Sequence, residues 1–395
     1  MEFKILKTYK GLRLGELKLK HGIVNTPAFV PVATKATVKA LSSEDLEKLK
    51  VDLLITNTYH LMLKPGAQVL DKLGGINEFS SINTPFMTDS GGFQAFSLGI
   101  GTQLGKSKFD YKVKESKQKQ ERIAYITDEG VSFRSIYDQS KHLLTPKLSI
   151  QTQHKIGADI ILALDECSAP SSDYKTTKEA NIRTHLWAKE CFDYHKNNNK
   201  KQQALYGIIQ GGLFKDLREE SAQEINKIGF DGYAIGGSFG KKQMYETLFW
   251  ITPFLDEKKP RHLLGIGTVE DIFNSVLQGI DTFDCAGPTR IARAGYIHIH
   301  PKSGGNLKNK YRIRISGAKY IHDNSKLDPF CSCEMCRRYT KAYLCHLFRS
   351  QEFLAYKIAS YHNIFFYLDI MAQIRKSIKE KNFEHLYSEW INQTN

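Results

Sequence analysis

The sequence predicts an α/β protein built as a (β/α)8 TIM barrel. Its 395 residues are enough for one large barrel domain or for two ordinary domains. The sequence contains eight short apolar, β-prone runs, seven of which end directly before a polar residue or a glycine, and a helix-compatible stretch follows. Continuous apolar runs are typical of strands buried on both faces, as in a parallel sheet covered by helices. An open doubly wound sheet is the alternative, but no GxGxxG motif follows the first strand, which weakens a dinucleotide-binding version.

In seven of the eight predicted strands, a polar residue or a glycine follows the apolar run directly. The runs occupy residues 29–32, 53–56, 86–88, 160–164, 205–209, 233–235, 262–264 and 282–283. The residues that follow the last seven runs are Asn57, Asp89, Asp165, Gln210, Gly236, Gly265 and Asp284. Residues just past the C-terminal ends of barrel strands line the active site. We therefore expect these polar side chains to meet in one pocket.

Three closely spaced cysteines, Cys331, Cys333 and Cys336, indicate a metal site. Zinc fits best, because it prefers four sulfur and nitrogen ligands in a tetrahedron. The spacing leaves the fourth ligand open among Cys345, His346 and His362. Four protein ligands leave no position for a catalytic water, so the site is expected to be structural. The alternative is a chance cluster of free thiols.

The segments outside the barrel pattern suggest how the chain is divided. Residues 4–10 and 12–20 alternate partly and join through Gly11, which predicts an N-terminal β-hairpin that caps the barrel bottom. We divide the chain into a barrel core at residues 1–285 and a zinc-binding insertion with C-terminal helices at residues 286–395. The Lys-rich stretch at residues 102–122 is expected to be an inserted loop, either solvated and flexible or an arm that contacts phosphates.

The charge balance favours a polyanionic partner. The net charge is +14, from 56 basic and 42 acidic side chains, and RNA or DNA is the leading candidate. A basic surface that only maintains solubility is the alternative. We find neither a secretory h-region nor an apolar stretch long enough to span a bilayer, so a cytoplasmic location without membrane association is expected. The seven cysteines suit a metal and free thiols better than a disulfide framework.

Three aspartates and one amide form the candidate chemical centre. Asp89, Asp165, Asp284 and Gln210 all follow predicted barrel strands. A pair of carboxylates can divide the work of a glycosyl transfer, one as nucleophile and one as general acid/base. A third carboxylate and an amide can hydrogen-bond a planar polar base. Any single aspartate could instead cap the next helix, but glycine pairs beside these positions would allow close approach of a ligand.

Several longer motifs carry a resemblance to a known family. They are Thr88-Asp89-Ser90-Gly91-Gly92-Phe93-Gln94, Asp165-Glu166-Cys167, Gly207-Ile208-Ile209-Gln210-Gly211-Gly212, Phe283-Asp284-Cys285 with Pro288-Thr289-Arg290, and the cysteine cluster. In this order, from about residue 10 to residue 385, the chain resembles the tRNA-guanine transglycosylases of bacterial type. The resemblance implies a (β/α)8 barrel with a zinc-bearing insertion near its end.

The resemblance also implies an activity and its catalytic residues. The expected reaction exchanges the wobble guanine of a tRNA with a GUN anticodon for a free 7-deazaguanine base, in queuosine modification. The incoming base would be 7-aminomethyl-7-deazaguanine or queuine. Asp284 matches the nucleophile that forms a covalent ribosyl-aspartate intermediate, and Asp89 matches the general acid/base. His362 matches the fourth ligand of one structural zinc ion per subunit, and the family normally works as a homodimer.

Two further groups of residues match the family's binding sites. Those implied to bind the base are Ser90, Gly91, Gly92, Phe93, Asp165, Gln210, Gly236, Gly237 and Leu264. Those implied to contact RNA are Gly265, Ile266, Gly267, Thr268, Val269, Glu270, Asp271, Thr289, Arg290, Ile291, Ala292 and Arg293.

The chain departs from the family pattern after the paired glycines. Residues 236–241 form a segment one residue shorter than in bacterial members, so the pocket could accept queuine, or the change could be a harmless loop variation. Ala286-Gly287 is a second variation, close to Asp284. The competing functions are a hydrolytic N-glycosidase on the same barrel and a non-catalytic, zinc-dependent RNA-binding subunit. An archaeal-type enzyme acting on the D-arm is disfavoured, because we find no long C-terminal RNA-binding extension.

Overall fold

Eight parallel strands form a barrel in this computed structural model, which describes residues 1–95, 124–237 and 241–392. In chain order the strands are β1 (Glu2–Tyr9), β2 (Leu12–Leu19), β3 (Gly22–Thr26), β4 (Ala28–Pro31), β5 (Leu54–Thr56), β6 (Phe86–Thr88), β7 (Ala124–Thr127), β8 (Gly130–Arg134), β9 (Lys141–Leu144), β10 (Ile160–Leu162), β11 (Ala204–Ile209), β12 (Gly232–Ile235), β13 (Arg261–Leu263), β14 (Thr282–Cys285), β15 (Tyr296–His298) and β16 (Arg312–Arg314). The barrel order is β4-β14-β13-β12-β11-β10-β6-β5. A parallel bridge between Val32 and Ile55 joins β4 to β5 and closes the ring. The predicted fold class is confirmed, and each barrel strand coincides with one of the eight apolar runs.

Two apolar layers explain why the strand runs lack polar alternation. One face of each strand packs inside the barrel, where Val30, Met87 and Leu162 belong to one buried cluster. The other face packs under the helices, as Phe86 and Phe283 do. Because side chains alternate along a strand, both layers are satisfied only by runs that are apolar at nearly every position.

Helices connect the barrel strands and cover their outer faces. In chain order the helices with defined bounds are α1 (Ser43–Leu49), α2 (Thr58–Leu63), α3 (Ala67–Lys72), α4 (Ile76–Ser80), α5 (Pro146–Ile156), α6 (Tyr174–Asn198), α7 (Lys215–Ile228), α8 (Lys241–Ile251), α9 (Val269–Leu277), α10 (Gly287–Arg293), α11 (Glu334–Arg338), α12 (Lys341–Arg349), α13 (Phe353–Glu380) and α14 (Phe383–Trp390). Their ends follow local sequence rules. Helix α5 starts after Thr145, whose hydroxyl accepts from the Leu148 N–H at 3.1 Å, and ends at Gly157 with φ 81°.

The N-terminal segment forms a three-stranded antiparallel sheet beneath the barrel. Strands β1 and β2 match the predicted hairpin, and β3 adds a third strand that the sequence pattern did not indicate. Leu17, Leu19 and Val24 of this sheet pack against the side chains inside the barrel. The N–H of His21 donates to Asp159, just before β10, at 3.0 Å. The sheet therefore closes the N-terminal end and leaves the C-terminal end free for a site.

The C-terminal helices pack onto the barrel through the long helix α13. This helix contacts β2, β4 and α10. Its Asn363 accepts from the His298 N–H at 2.8 Å and donates to the Pro288 carbonyl oxygen at 3.1 Å. The division of the chain at residue 285 stays a prediction, and the Lys-rich segment at residues 102–122 lies outside the described residues. Among the helices that are described, none is long and apolar enough to cross a membrane.

Candidate active site

A cavity lies at the C-terminal end of the barrel strands and brings the predicted polar residues together. Its lining residues are Ile55, Asp89, Ser90, Phe93, Gln94, Leu162, Asp165, Cys167, Ile208, Gln210, Gly236, Gly237, Leu264, Gly265 and Asp284. The strand register accounts for this meeting, because Leu263 pairs with Phe283 and Ile209 pairs with Ile235. The residues that follow these pairs therefore end at the same height in the barrel.

Asp89 is held by three donors at the end of β6. The backbone N–H groups of Thr58 and Gly91 donate to its Oδ1 at 2.9 and 3.2 Å, and the Asn57 side-chain amide donates to Oδ2. Thr56 pairs with Thr88, which places Asn57 beside Asp89. Burial raises the pKa of Asp89 to about 7, the negative charge of Asp284 adds to the rise, and the three donors oppose it. This carboxyl group can therefore hold or release a proton near neutral pH.

Asp284 is 8 % exposed and lies at the end of β14. The backbone N–H of Gly265 donates to its Oδ1 at 2.6 Å. The Nε2 atom of His262 lies 3.3 Å from the same oxygen. A charge-assisted hydrogen bond from a backbone amide stabilises an ionised carboxylate, as a nucleophile requires.

Asp165, Ser90 and Gln210 form a buried polar edge of the cavity. The Gln210 side-chain amide donates to Asp165 Oδ2 at 2.7 Å, and the Ser90 hydroxyl donates to Oδ1 at 3.1 Å. The backbone of Gln210 is also fixed, because its backbone N–H donates to the Ser221 hydroxyl at 3.1 Å. These fixed donors and acceptors suit the hydrogen-bonding edge of a planar polar ring. Phe93 and Leu264 add apolar surface to the same cavity.

Two glycines at this polar edge are packed so closely by their neighbours that a side chain would not fit. A Cβ atom at Gly236 would lie 2.4 Å from Nε2 of Gln210, and one at Gly92 would lie 2.9 Å from Leu164 Cδ1. Contacts this short are steric clashes, so any larger side chain at either position would displace the pocket wall. Gly91 lies beside this wall with φ 82°, a conformation that favours glycine.

Cys331, Cys333, Cys336 and His362 form a cluster that could bind a metal ion. Their ligand atoms all lie within 4.8 Å of one another. The Nδ1 atom of His362 is 3.7, 3.6 and 3.2 Å from the sulfur atoms of Cys331, Cys333 and Cys336, respectively. Zn–S and Zn–N bond lengths with tetrahedral angles require a separation of about 3.6 Å. The donor set fits zinc, and the three distances from His362 lie within about 0.4 Å of that separation.

The packing of helix α13 selects the histidine of this cluster. His362 lies inside α13, and its Nε2 donates to the His298 carbonyl oxygen at 2.7 Å, which turns Nδ1 toward the thiols. His346 is exposed, and the Cys345 thiol instead donates to the Gly317 carbonyl oxygen at 3.6 Å. Of the three fourth ligands that spacing left open, only His362 joins the cluster among the described residues.

Comparison with known proteins gives the chain its family. The family model for queuine tRNA-ribosyltransferase matches residues 9–395. A protein provisionally named queuine tRNA-ribosyltransferase in Archaeoglobus fulgidus is 42% identical over 99% of both chains. The queuine tRNA-ribosyltransferase of Halothermothrix orenii is 42% identical over 93% of this chain and 90% of the relative. That of Ruminiclostridium cellulolyticum is 40% identical over 96% of this chain and 94% of the relative.

The chain belongs to the queuine tRNA-ribosyltransferase family. Its members are tRNA-guanine transglycosylases, so the predicted family and enzyme class are confirmed.

In this queuine tRNA-ribosyltransferase family member, the segments expected to contact RNA contain both buried and exposed side chains. Several side chains are buried and shape the backbone: Ile266, Val269, Asp271, Thr289 and Ala292. Asp271 accepts from the Thr268 hydroxyl at 2.6 Å in a capping box that starts α9. Arg290 is exposed, and Arg293 is partly exposed with its guanidinium donating to the Thr289 carbonyl oxygen at 2.8 Å. The two arginines are thus the cationic groups of α10 that an RNA backbone could reach.

Residue order did not indicate the contacts that hold the two carboxylates in place. Asn57 and Thr58 donate to Asp89, and His262 faces Asp284. The positional rule placed Asn57 at this end of the barrel, as it did Asp89, but did not indicate it as a donor to Asp89. Backbone donors such as the Thr58 N–H carry no signal in residue identity. Residues 238–240, which belong to the shortened loop, lie outside the described residues.

Proposed function

We propose that this enzyme exchanges the wobble guanine of a tRNA with a GUN anticodon for a free 7-deazaguanine base. The observation that carries the proposal is that Asp89 and Asp284 line one cavity. The incoming base would be 7-aminomethyl-7-deazaguanine or queuine. The transfer would pass through a covalent bond between Asp284 and ribose.

Asp284 is the nucleophile in this proposal. One carboxylate oxygen forms a bond to the anomeric carbon, and the bond to guanine breaks with its electron pair on the base. Asp89 supplies the proton that the leaving guanine needs. In the second half-reaction the incoming base transfers its proton to Asp89 and attacks the same carbon, which releases the Asp284 carboxylate. The pKa of about 7 at Asp89 supports both roles, because each protonation state is accessible near neutrality.

The polar edge formed by Asp165, Ser90 and Gln210 would recognise the base. The target guanine must leave its stack in the anticodon loop, which costs a few kcal/mol. Hydrogen bonds to this edge and contact with Phe93 and Leu264 would offset that cost. Recognition of an unstacked base in a single-stranded loop is the usual route to RNA specificity.

Arg290 and Arg293 would hold tRNA phosphates at the mouth of the cavity. Such contacts make affinity fall as salt concentration rises. Because the proposed substrate is tRNA, we place the enzyme in the cytoplasm.

We assign zinc to the cluster of three cysteines and His362. It would cross-link the segment at residues 331–336, which includes the start of α11, to helix α13. It would take no part in the chemistry, because four protein ligands complete its coordination.

A homodimer is part of the same proposal. Large exposed aromatic side chains occur in the segments that flank the metal cluster, at Phe330, Tyr343 and Phe353, which are 55%, 41% and 85% exposed. A second copy of the chain covering these side chains would remove apolar surface from water. Sedimentation measurements would test this by the mass of the particle in solution.

Exchange of labelled guanine into tRNA tests the proposed reaction. We expect incorporation without strand cleavage, and an RNA–protein adduct on denaturing gels that disappears in Asp284→Asn. Abasic tRNA without incorporation would instead indicate a hydrolytic N-glycosidase. Neither product, despite tight tRNA binding, would indicate a non-catalytic RNA-binding subunit. Competition between 7-aminomethyl-7-deazaguanine and queuine then determines which base is preferred.

A further inference from the structure

His262 lies one layer below Asp284 inside the barrel. It pairs with Thr282 across β13 and β14. Because side chains alternate along a strand, Thr282 and Asp284 both lie on the inner face of β14. The ring of His262 lies beside them on the neighbouring strand β13. The ring is completely buried among apolar side chains of the barrel interior, including Ala234 on the neighbouring strand. A polar ring in such a place is costly unless its nitrogen atoms have partners.

Both ring nitrogens face polar groups of β14. Nδ1 lies 2.9 Å from the Thr282 hydroxyl oxygen, and Nε2 lies 3.3 Å from Oδ1 of Asp284. Nε2 makes no hydrogen bond with the described residues, so this buried nitrogen lies next to the Asp284 carboxylate without a partner. We assign the ring hydrogen to Nε2, because Nδ1 can then accept from the Thr282 hydroxyl and Nε2–H becomes the donor nearest to the carboxylate.

We propose that His262 is a positioning residue that selects which oxygen of Asp284 attacks the ribose. The proposal rests on the nucleophilic role of Asp284 proposed above. The Gly265 N–H, at 2.6 Å, and the His262 Nε2–H both face Oδ1. Among the described residues no donor contacts Oδ2. A second hydrogen bond to Oδ1, formed when Nε2–H closes on the carboxylate, would fix the plane of the carboxylate and leave Oδ2 to react.

The same two donors act throughout the reaction. When Oδ2 bonds to the anomeric carbon, the glycosidic bond breaks, its electron pair leaves on guanine, and guanine takes the proton of Asp89. Oδ1 is then the carbonyl oxygen of an ester, still facing both donors. In the reverse half-reaction the electron pair of the Oδ2–carbon bond returns to the carboxylate, and His262 keeps its proton. Catalytic contacts that are long in a free enzyme often shorten when substrate binds, which we expect for the 3.3 Å separation.

Two amide substitutions separate the contact with Asp284 from the contact with Thr282. In His262→Gln the amide nitrogen can occupy the place of Nε2 and donate to Asp284. In His262→Asn it reaches only the place of Nδ1. The measurements are the single-turnover rate of adduct formation on denaturing gels, tRNA affinity by filter binding, and Tm as a check on folding.

We expect His262→Asn to slow adduct formation about 10- to 100-fold with tRNA affinity unchanged, because the donor that would close on the charged carboxylate during the reaction is lost. His262→Gln should stay within about threefold of the wild type, since it keeps a donor to that group. A wild-type rate in His262→Asn, or equal slowing in both variants, would overturn the proposal.

Thr282→Val gives a measurement that does not depend on how the substituted position 262 folds. It keeps His262 but removes the hydroxyl that orients the ring. Slower adduct formation is expected, and an unchanged rate would contradict the inference. Asp284→Asn separates this test from the proposed function. If that variant forms no adduct while the position 262 variants match the wild type, only the role of His262 fails.

Discussion

Asp89 and Asp284 line one cavity, and the charge of Asp284 adds to burial in raising the pKa of Asp89 to about 7. The two carboxylates come from strands that are 195 positions apart in the sequence. Their different surroundings prepare them for different roles. Asp284 is contacted at one oxygen by a short backbone hydrogen bond, whereas Asp89 is desolvated enough to retain a proton near neutral pH.

The first prediction concerns opposite pH dependences of the two half-reactions. In the proposed reaction, release of guanine requires protonated Asp89, so its single-turnover rate should fall about tenfold per pH unit above pH 7. Attack by the incoming base requires ionised Asp89, so its rate on the isolated adduct should fall below pH 7. Rapid-quench measurements on tRNA carrying labelled guanine, and on the isolated adduct, check both. The same direction in both half-reactions would exclude Asp89 as the shared acid and base.

A second prediction follows from the burial of Asp89 and concerns stability. Between pH 4 and pH 7 the unfolded chain releases the Asp89 proton but the folded chain keeps it, so folding stability falls as pH rises. The rise of the Asp89 pKa from 3.8 to about 7 corresponds to at most about 4 kcal/mol. Asp89→Asn removes this cost. Its free energy of unfolding, relative to the wild type, should therefore increase from pH 4 to pH 7 and then remain level, while exchange activity is lost.

A carboxylate with the opposite shift provides the control for that measurement. Hydrogen bonds, first from Ser135 and then from Ser140, lower the pKa of exposed Asp138 to about 2. Asp138→Asn should therefore lose stability relative to the wild type as pH rises above 2, without loss of exchange. If Asp89→Asn showed the same sign as Asp138→Asn in urea unfolding at several pH values, burial of Asp89 would not control its proton.

The barrel could be predicted from the sequence because its strands are buried on both faces. That environment produces continuous apolar runs, and the parallel topology then aligns the residue after each run, as with Asp89 and Gln210. The antiparallel strands β7, β8 and β9 carry no comparable run, so they were not predicted. Whether a third strand joins the N-terminal hairpin depends on contacts with the barrel, which residue order does not display.

The polar side chains that line the cavity were predictable, but the contacts that support them were not. Carboxylates and an amide at strand ends are visible in the sequence, whereas the Asn57–Asp89 and His262–Asp284 contacts depend on the register of neighbouring strands. His262 appeared only as the first residue of an apolar run. The fourth metal ligand likewise stayed open from spacing alone, because His362 meets the cysteines only when helix α13 packs onto the barrel.

A third prediction tests the crowding around Gln210. In Gly236→Ala the new Cβ would lie 2.4 Å from Nε2 of Gln210, so the amide must move away from Asp165. Loss of this buried hydrogen-bonded arrangement should lower kcat/KM for exchange about 10- to 100-fold. Gly317→Ala is the control, because its Cβ would approach no described atom closer than 3.3 Å. Equal exchange kinetics in both variants, at equal Tm, would contradict the assigned role of Gln210.

The last prediction concerns the metal. Purified protein should contain one zinc ion per chain by mass spectrometry, and Cys336→Ser should lose it, because Cys336 would supply one of the four proposed ligands. Loss of a metal site is among the most destabilising changes, of order 4 kcal/mol or more, so Tm should fall by several degrees. Cys345→Ser is the matched control, since its buried thiol contacts the Gly317 carbonyl oxygen outside the cluster. It should keep the zinc and most of the stability. A Cys336→Ser protein with full zinc content would place the metal elsewhere.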